Sequence, residues 1–208
     1  MNIEKRYVTM NLCGQIFRDI ELLRQVIPLE CFKIKSLLSN NSADRLINFL
    51  IVAEDHRYKY HIGFDFIAIF RALIKNLIYN THEGASTIEQ QLVRVIINDY
   101  RHTLSRKIKE IILAGYVRIV LDKRHLALIY LNIAYYGTKY QSLDAILNKY
   151  NLTKEDMIDN YICAKIVARL KYPEPLNYSP YREAQIEKRV NHIMFLYRKF
   201  SKKKIFLI

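Results

Sequence analysis

The stretch Gly84-Ala85-Ser86-Thr87-Ile88-Glu89-Gln90-Gln91-Leu92 has two readings, and the fold turns on it. Ser86-x-x-Glu89 has the form of a capping box, in which the serine hydroxyl accepts from a backbone N–H three residues on and the glutamate reaches back. A helix then starts here, with Ile88, Leu92, Val95 and Ile96 on an apolar stripe and Thr87, Gln91, Arg94 and Asn98 on a polar one. A cap alone accounts for neither Thr87 nor the consecutive glutamines. The free N–H groups of a helix start also suit a phosphate or carboxylate, so the second reading is a ligand-facing loop, and both roles can coexist.

The helical pattern continues on either side. Ser42 reads as an N-cap, and Leu46, Phe49, Leu50 and Ala53 make a stripe that ends near Glu54, one turn beyond Leu50 and beside the buried face. The polar, aromatic loop HRYKYHIGFD follows, then an apolar-rich helix over 64–79. A helix over 105–121 would turn Ile108, Ile111, Ile112 and Ile119 inward and set Arg106, Lys107 and Glu110 one turn apart on another face. Further helices are expected over 123–133, 140–150, 154–170 and 181–200, with the Pro173/Pro175/Pro180 segment extended between the last two. Five glycines and four prolines in 208 residues leave few tight turns, so the expected class is a mainly α domain.

Composition narrows the function classes. With 51% apolar and 25% charged residues the chain can bury a globular core. Thirty-three Lys and Arg against twenty Asp and Glu give a formal net charge of +13, which favours polyanionic partners: nucleic acid, an anionic membrane surface or phosphorylated substrates. Lys and Arg are spread along the chain without a nucleic-acid motif, so no nucleic-acid partner is expected. Cys13, Cys31 and Cys163 have neither disulfide-framework nor zinc-ligand spacing. No export signal is read in the N-terminal segment, and the longest apolar run, Leu46 to Ala53, is far short of the roughly 20 residues that cross a bilayer.

Three constellations carry chemistry. Glu54-Asp55 is either a solvated helix end or a pair in which Glu54, partly desolvated, has a raised pKa suited to proton abstraction while Asp55 orients a neighbour such as His61. Arg106-Lys107-Ile108-Lys109-Glu110 is either a salt-bridged helix face or a site for a pyrophosphate, with cations on the phosphates and the carboxylate positioning them. The tail Ser201-Lys202-Lys203-Lys204-Ile205-Phe206-Leu207-Ile208 is a frayed end or a segment for an anionic lipid surface.

In order and spacing these motifs resemble the peptidoglycan glycosyltransferase domain, glycosyltransferase family 51, of penicillin-binding proteins and monofunctional transglycosylases. Glu54-Asp55-x-x-Tyr58-x-x-His61-x-Gly63 matches its first motif with Tyr for Phe. Gly84-x-Ser86-Thr87-x-x-Gln90-Gln91 matches the second, Arg106-Lys107-x-x-Glu110 the third, and Tyr130-Leu131-Asn132 closes the fourth. The resemblance divides the chain into an N-terminal helical extension (1–44), a family 51-like domain (45–195) and a basic, then apolar, tail (196–208).

That resemblance implies a mainly helical, lysozyme-like fold with a substrate cleft, and an inverting enzyme that polymerises lipid II, or a related polyprenyl-diphosphate sugar, into glycan strands. Glu54 would be the general base and Glu110 the second catalytic carboxylate. Asp55, His61, Ser86, Thr87, Gln91, Arg94, Arg106, Lys107 and Asn132 would bind or line the substrate. A divalent metal, Mg or Mn, would have Glu110 as its ligand, and no organic cofactor is implied. The expected partners are the lipid-linked sugar, the membrane surface and other cell-wall synthesis proteins, with the protein peripheral to the cytoplasmic membrane and the family acting on its outer face. Arg94 stands where the family usually has lysine, His125 and Ala127 replace fourth-motif carboxylates, and Ala168-Arg169-Leu170-Lys171 replaces Ala-Gly-Leu-Pro. The alternative reading is a divergent protein that binds lipid-linked sugar or glycan without polymerising it.

Overall fold

A computed structural model describes residues 11–38, 41–79, 84–154, 156 and 158–202. Part of the N-terminal extension and the apolar end of the tail lie outside the described residues. Within them the chain forms α1 (Leu12–Lys33), α2 (Lys35–Leu38), α3 (Asn41–Glu54), a 3-10 turn (Tyr58–Tyr60), α4 (Phe66–Tyr79), α5 (Ile88–Ile97), α6 (Leu104–Val120), α7 (Lys123–Ile133), α8 (Leu143–Asn148), α9 (Asn160–Lys171) and α10 (Pro180–Lys202). The mainly α class expected from the sequence is the one found. Pairing between extended residues, among those described, is confined to bridges from Gly137 to Tyr140 and Glu174. None of the described helices is long and apolar enough to cross a membrane.

Two groups of helices share one core. α5 packs against α1, α6 and α7, while α3 packs against α7, α9 and α10. α7 lies at their junction, and each of its residues from Leu126 to Asn132 is buried. Short polar residues begin the helices as propensity dictates: Asp122 accepts from the His125 N–H, and Asp159 from the Tyr161 and Ile162 N–H groups. Pro180 occupies the first position of α10, where its missing N–H costs no helical bond.

The α3 stripe is as read: Leu46, Phe49, Leu50 and Ala53 are buried. The helix begins at Asn41, however, so Ser42 lies inside it. The α6 stripe is different. Leu113, Ala114 and Val117 face the core, whereas Ile108, Ile112 and Ile119 are exposed. Ile111 is only half-buried, and the inward side also takes Lys109 and Glu110, whose charges are satisfied internally. Apolar periodicity alone could not select that face.

α4 is amphipathic with its apolar side outward: Phe66, Ile67, Phe70, Ile74 and Ile78 are all exposed. It leaves the core after a loop pinned at Gly63. That residue has φ +106°, and a Cβ there would lie 2.5 Å from the Ala114 carbonyl oxygen of α6, so a side chain is excluded by both backbone conformation and space. The close approach carries the loop bearing His61 against α6.

Candidate active site

α5 begins where expected, but its cap is Thr87 rather than Ser86. The Thr87 hydroxyl accepts from the Gln90 N–H at 3.3 Å and donates to the Gly63 carbonyl at 2.7 Å. Asp55 supplies an anion at this helix start, its Oδ2 accepting from the Ile88 N–H at 3.2 Å. The capping box is therefore replaced by one contact from Thr87 and one from Asp55, just beyond the end of α3. Its nominal partners are used elsewhere: Ser86 Oγ accepts from Lys107 Nζ at 3.0 Å and from Arg94 at 3.2 Å, and fully buried Glu89 accepts from Lys123 Nζ at 3.0 Å.

Glu54 ends α3 at the edge of the core, facing a narrow cleft of about 80 Å³ that is also lined by Arg57, Arg71, Gly84, Ser86 and Thr87. Its Oε1 accepts from Arg189 at 3.1 Å, and its Oε2 lies 3.5 Å from Gln91 Nε2, at the limit of a hydrogen bond. Burial raises the Glu54 carboxyl above its ordinary value and outweighs the opposing pull of Arg189, Gln91 and Lys171. Gln91 is held in turn by the Tyr130 hydroxyl, which donates to its Oε1 at 2.6 Å. Burial, reinforced by the charge of Glu54, keeps Tyr130 protonated and therefore a donor.

One α5 turn beyond Gln91 lies a cluster of cations around Glu110. Arg94 grips this carboxylate with two N–H groups at 3.0 Å each, Lys107 reaches it at 2.8 Å, and Arg106 donates to the same Oε2 as Arg94. Lys107 also donates to Gln90 Oε1 at 2.9 Å. Burial alone would raise the Glu110 carboxyl, but Arg94 and Lys107 overcome it and hold the group below its usual range. Three cations against one anion leave a surplus of positive charge beside the cleft. This clamp can hold a diphosphate.

The same geometry does not fit a divalent metal on Glu110. Both carboxylate oxygens are already engaged by Arg94, Arg106 and Lys107, and an incoming cation would meet their three positive charges. Asp55, His61 and Glu89 bring ligand atoms within 4.8 Å of one another. There too the positions are taken: His61 Nε2 donates to Asp55 at 2.9 Å, His61 Nδ1 accepts from the Gly63 N–H at 3.3 Å, and Lys123 neutralises Glu89. The metal expectation therefore finds no suitable donor set at Glu110.

The structure thus sets the Glu110 clamp beside the Glu54 cleft: Ser86, which lines that cleft, accepts from Arg94 and Lys107, and Gln91 reaches Glu54. Asp55 and Thr87 line the cleft as well, and buried His61 stands behind them, bonded to Asp55. Asn132 does not join them; it is buried against α1, where its Nδ2 donates to Glu30 at 3.2 Å. Tyr130, two residues earlier, is the α7 side chain that reaches the site. Arg189 is a functional candidate absent from the motif reading. Its only signal is an arginine directly before Val190 on the buried face of α10, next to the Ile186, Val190 and Ile193 stripe.

Arg189→Met gives a test of this electrostatic balance. Arg189 pulls the raised carboxyl downward, so its loss moves the acid limb of the kcat/KM profile to higher pH. Gln91 on α5 and Lys171 on α9 remain to lower Glu54, while the Tyr130 hydroxyl on α7 stays neutral. An unchanged acid limb would show that Glu54 does not control it.

A helical domain with a carboxylate at the edge of its core and a cation clamp beside it is suited to transfer from a phosphorylated donor. A family model described as transglycosylase matches residues 32–197, more than half of the chain, and the chain belongs to that family. It is 31% identical over 132 residues to a monofunctional glycosyltransferase of Staphylococcus saprophyticus, covering 64% of this chain and 47% of that protein. It is also 36% identical over 143 residues to penicillin-binding protein 1A of Rickettsia typhi, covering 66% of this chain and 18% of that protein. The chain thus spans less than half the length of these relatives.

Proposed function

We propose that the chain is a peptidoglycan glycosyltransferase that polymerises lipid II, or a closely related polyprenyl-diphosphate sugar, with inversion at the anomeric carbon. The observation that carries this reading is the nearness of the Arg94/Arg106/Lys107 clamp to Glu54: Ser86 lines the Glu54 cleft and accepts from both Arg94 and Lys107. Glu54 takes the proton of the acceptor 4-hydroxyl as its oxygen bonds to the donor C1 from the face opposite the diphosphate. The C1–O bond breaks, and its electron pair leaves with the diphosphate. Negative charge grows on that group, where the preorganised cations stabilise it without a protonic acid. The names of the relatives, monofunctional glycosyltransferase and penicillin-binding protein 1A, support the same reaction.

The substrate places the enzyme at a membrane surface. The exposed Phe66, Ile67, Phe70, Ile74 and Ile78 on α4, together with the net charge of +13, support a peripheral attachment through an apolar face and anionic lipids. Attachment to the outer face of the cytoplasmic membrane, and association with other cell-wall synthesis proteins, belong to the same proposal. The deciding experiment is incubation of purified protein with labelled lipid II in detergent, with and without divalent metal. Glycan strands are the expected product. Lipid II binding with no glycan under any condition would instead assign a non-polymerising binding protein.

A further inference from the structure

Gln90 and Gln91 are neighbours in the first turn of α5, yet they turn opposite ends of their amides to the charges around them. Gln90 offers its carbonyl oxygen to a cation, Lys107, at 2.9 Å. Gln91 offers its N–H to an anion, Glu54, at 3.5 Å. A primary amide can be turned end for end with almost no change of shape, so its orientation is fixed by its partners and not by packing. For Gln90 the lysine is sufficient, since an ammonium has donors and no acceptor. For Gln91 the contact with Glu54 is too long to hold the amide by itself.

The missing constraint comes from α7. The Tyr130 hydroxyl donates to Gln91 Oε1 at 2.6 Å, the shorter of the two contacts made by that amide. A phenolate would accept instead and turn the amide round. Burial first, then the charge of Glu54, disfavour the phenolate and outweigh the pull of Arg94, so the hydroxyl keeps its proton. With the amide reversed, Gln91 Oε1 would face the Glu54 carboxylate, oxygen against oxygen.

We infer that Tyr130 is a positioning residue: by holding Gln91 Oε1 it keeps the amide N–H turned to Glu54 Oε2, while Arg189 holds Glu54 Oε1. The inference rests on the transferase reading only in calling Glu54 the base; the relay itself is a matter of hydrogen bonds. Its consequence is that α7 tunes how readily Glu54 takes and releases a proton. Arg189 on α10 and Lys171 on α9 also favour the carboxylate, and Asp55, His56, Arg57, Asp65 and Arg71 line the same cleft. Gln91 differs from the cations in that its effect on Glu54 changes sign with its orientation.

Tyr130→Phe removes the donor and leaves the ring in place. Glu54 is followed directly by the NMR resonance of its carboxyl carbon in the full chain labelled in glutamate, assigned by its loss in Glu54→Gln, so no turnover is needed. The midpoint of its titration should move to higher pH by about half a unit to one unit, the worth of a neutral hydrogen bond. Gln91→Leu should move it in the same direction, and Tyr130→Phe added to Gln91→Leu should move it no further. An unchanged titration in Tyr130→Phe overturns the relay. So does an equal displacement in the Gln91→Leu background, which would mean that the hydroxyl acts on Glu54 without Gln91. The acid limb of kcat/KM for lipid II should follow the carboxyl in each variant. A limb that stays in place while the carboxyl moves removes Glu54 as the base and leaves the relay standing, so the two readings fail separately.

Discussion

Glu54→Gln is expected to lower the rate of lipid II polymerisation by about 10²–10⁴-fold, the range contributed by a positioned general base, while leaving lipid II binding within a few-fold of the native protein. The substitution keeps the size of the side chain and one oxygen that can still accept from Arg189, losing only the long contact from Gln91. What it removes is the capacity to take a proton. Because burial raises the Glu54 carboxyl, the native group is a stronger base than a free glutamate. Gel separation of labelled glycan strands measures the rate, and lipid II binding measured in parallel separates chemistry from recognition. Activity within tenfold of native would remove Glu54 from the role of base, and the clamp at Glu110 would then be left without an acceptor-activating partner.

The division of roles along this cleft was partly legible in the sequence. The spacing from Arg106 through Lys107 to Glu110 can be satisfied on one helix face, and the structure closes Arg106 and Lys107 onto the Glu110 carboxylate. Glu54 was legible because its stripe of Leu46, Phe49, Leu50 and Ala53 is unambiguous, which fixed its position relative to the core. The cap of α5 was misplaced by one residue because Ser86 and Thr87 have equivalent local chemistry. The choice between them is made by tertiary contacts, the Gly63 carbonyl holding Thr87 and Lys107 drawing Ser86 away.

Other features had no local signature at all. Arg189 lies 135 residues from Glu54, and their meeting depends on how α10 packs on α3. The inward side of α6 could not be found from apolar periodicity, since it carries Lys109 and Glu110 while isoleucines face outward. Asn132 followed its motif into the site on paper, but the turn of α7 directs it toward Glu30, and Tyr130 takes its place beside Gln91. Each of these departures is an instance of packing deciding between side chains that local sequence treats alike.

The same buried charge on α6 ties the first helix to the site. Lys109→Met is expected to destabilise the protein by about 3 kcal/mol, lowering its Tm by roughly 6–12 °C for a chain of this size. Lys109 is almost fully buried and ion-pairs with Asp19 of α1 at 2.7 Å and with Asp99, just after α5, at 3.1 Å. Arg18 and Arg101 remain beside the two aspartates, so the loss is partial rather than the full penalty of two stranded carboxylates. Methionine preserves most of the side-chain volume, which confines the effect to charge. Most of α1 precedes residues 32–197 matched by the family model, yet its pair with Lys109 fixes the helix whose next residue is Glu110. Combining Lys109→Met with Asp19→Asn removes both members of the principal pair, so the double variant should be more stable than the sum of the single losses by about 1–2 kcal/mol. Thermal denaturation of the three variants measures this coupling. Strict additivity would show that α1 and α6 are not joined through this pair, whereas the expected coupling makes α1 a structural part of the catalytic domain.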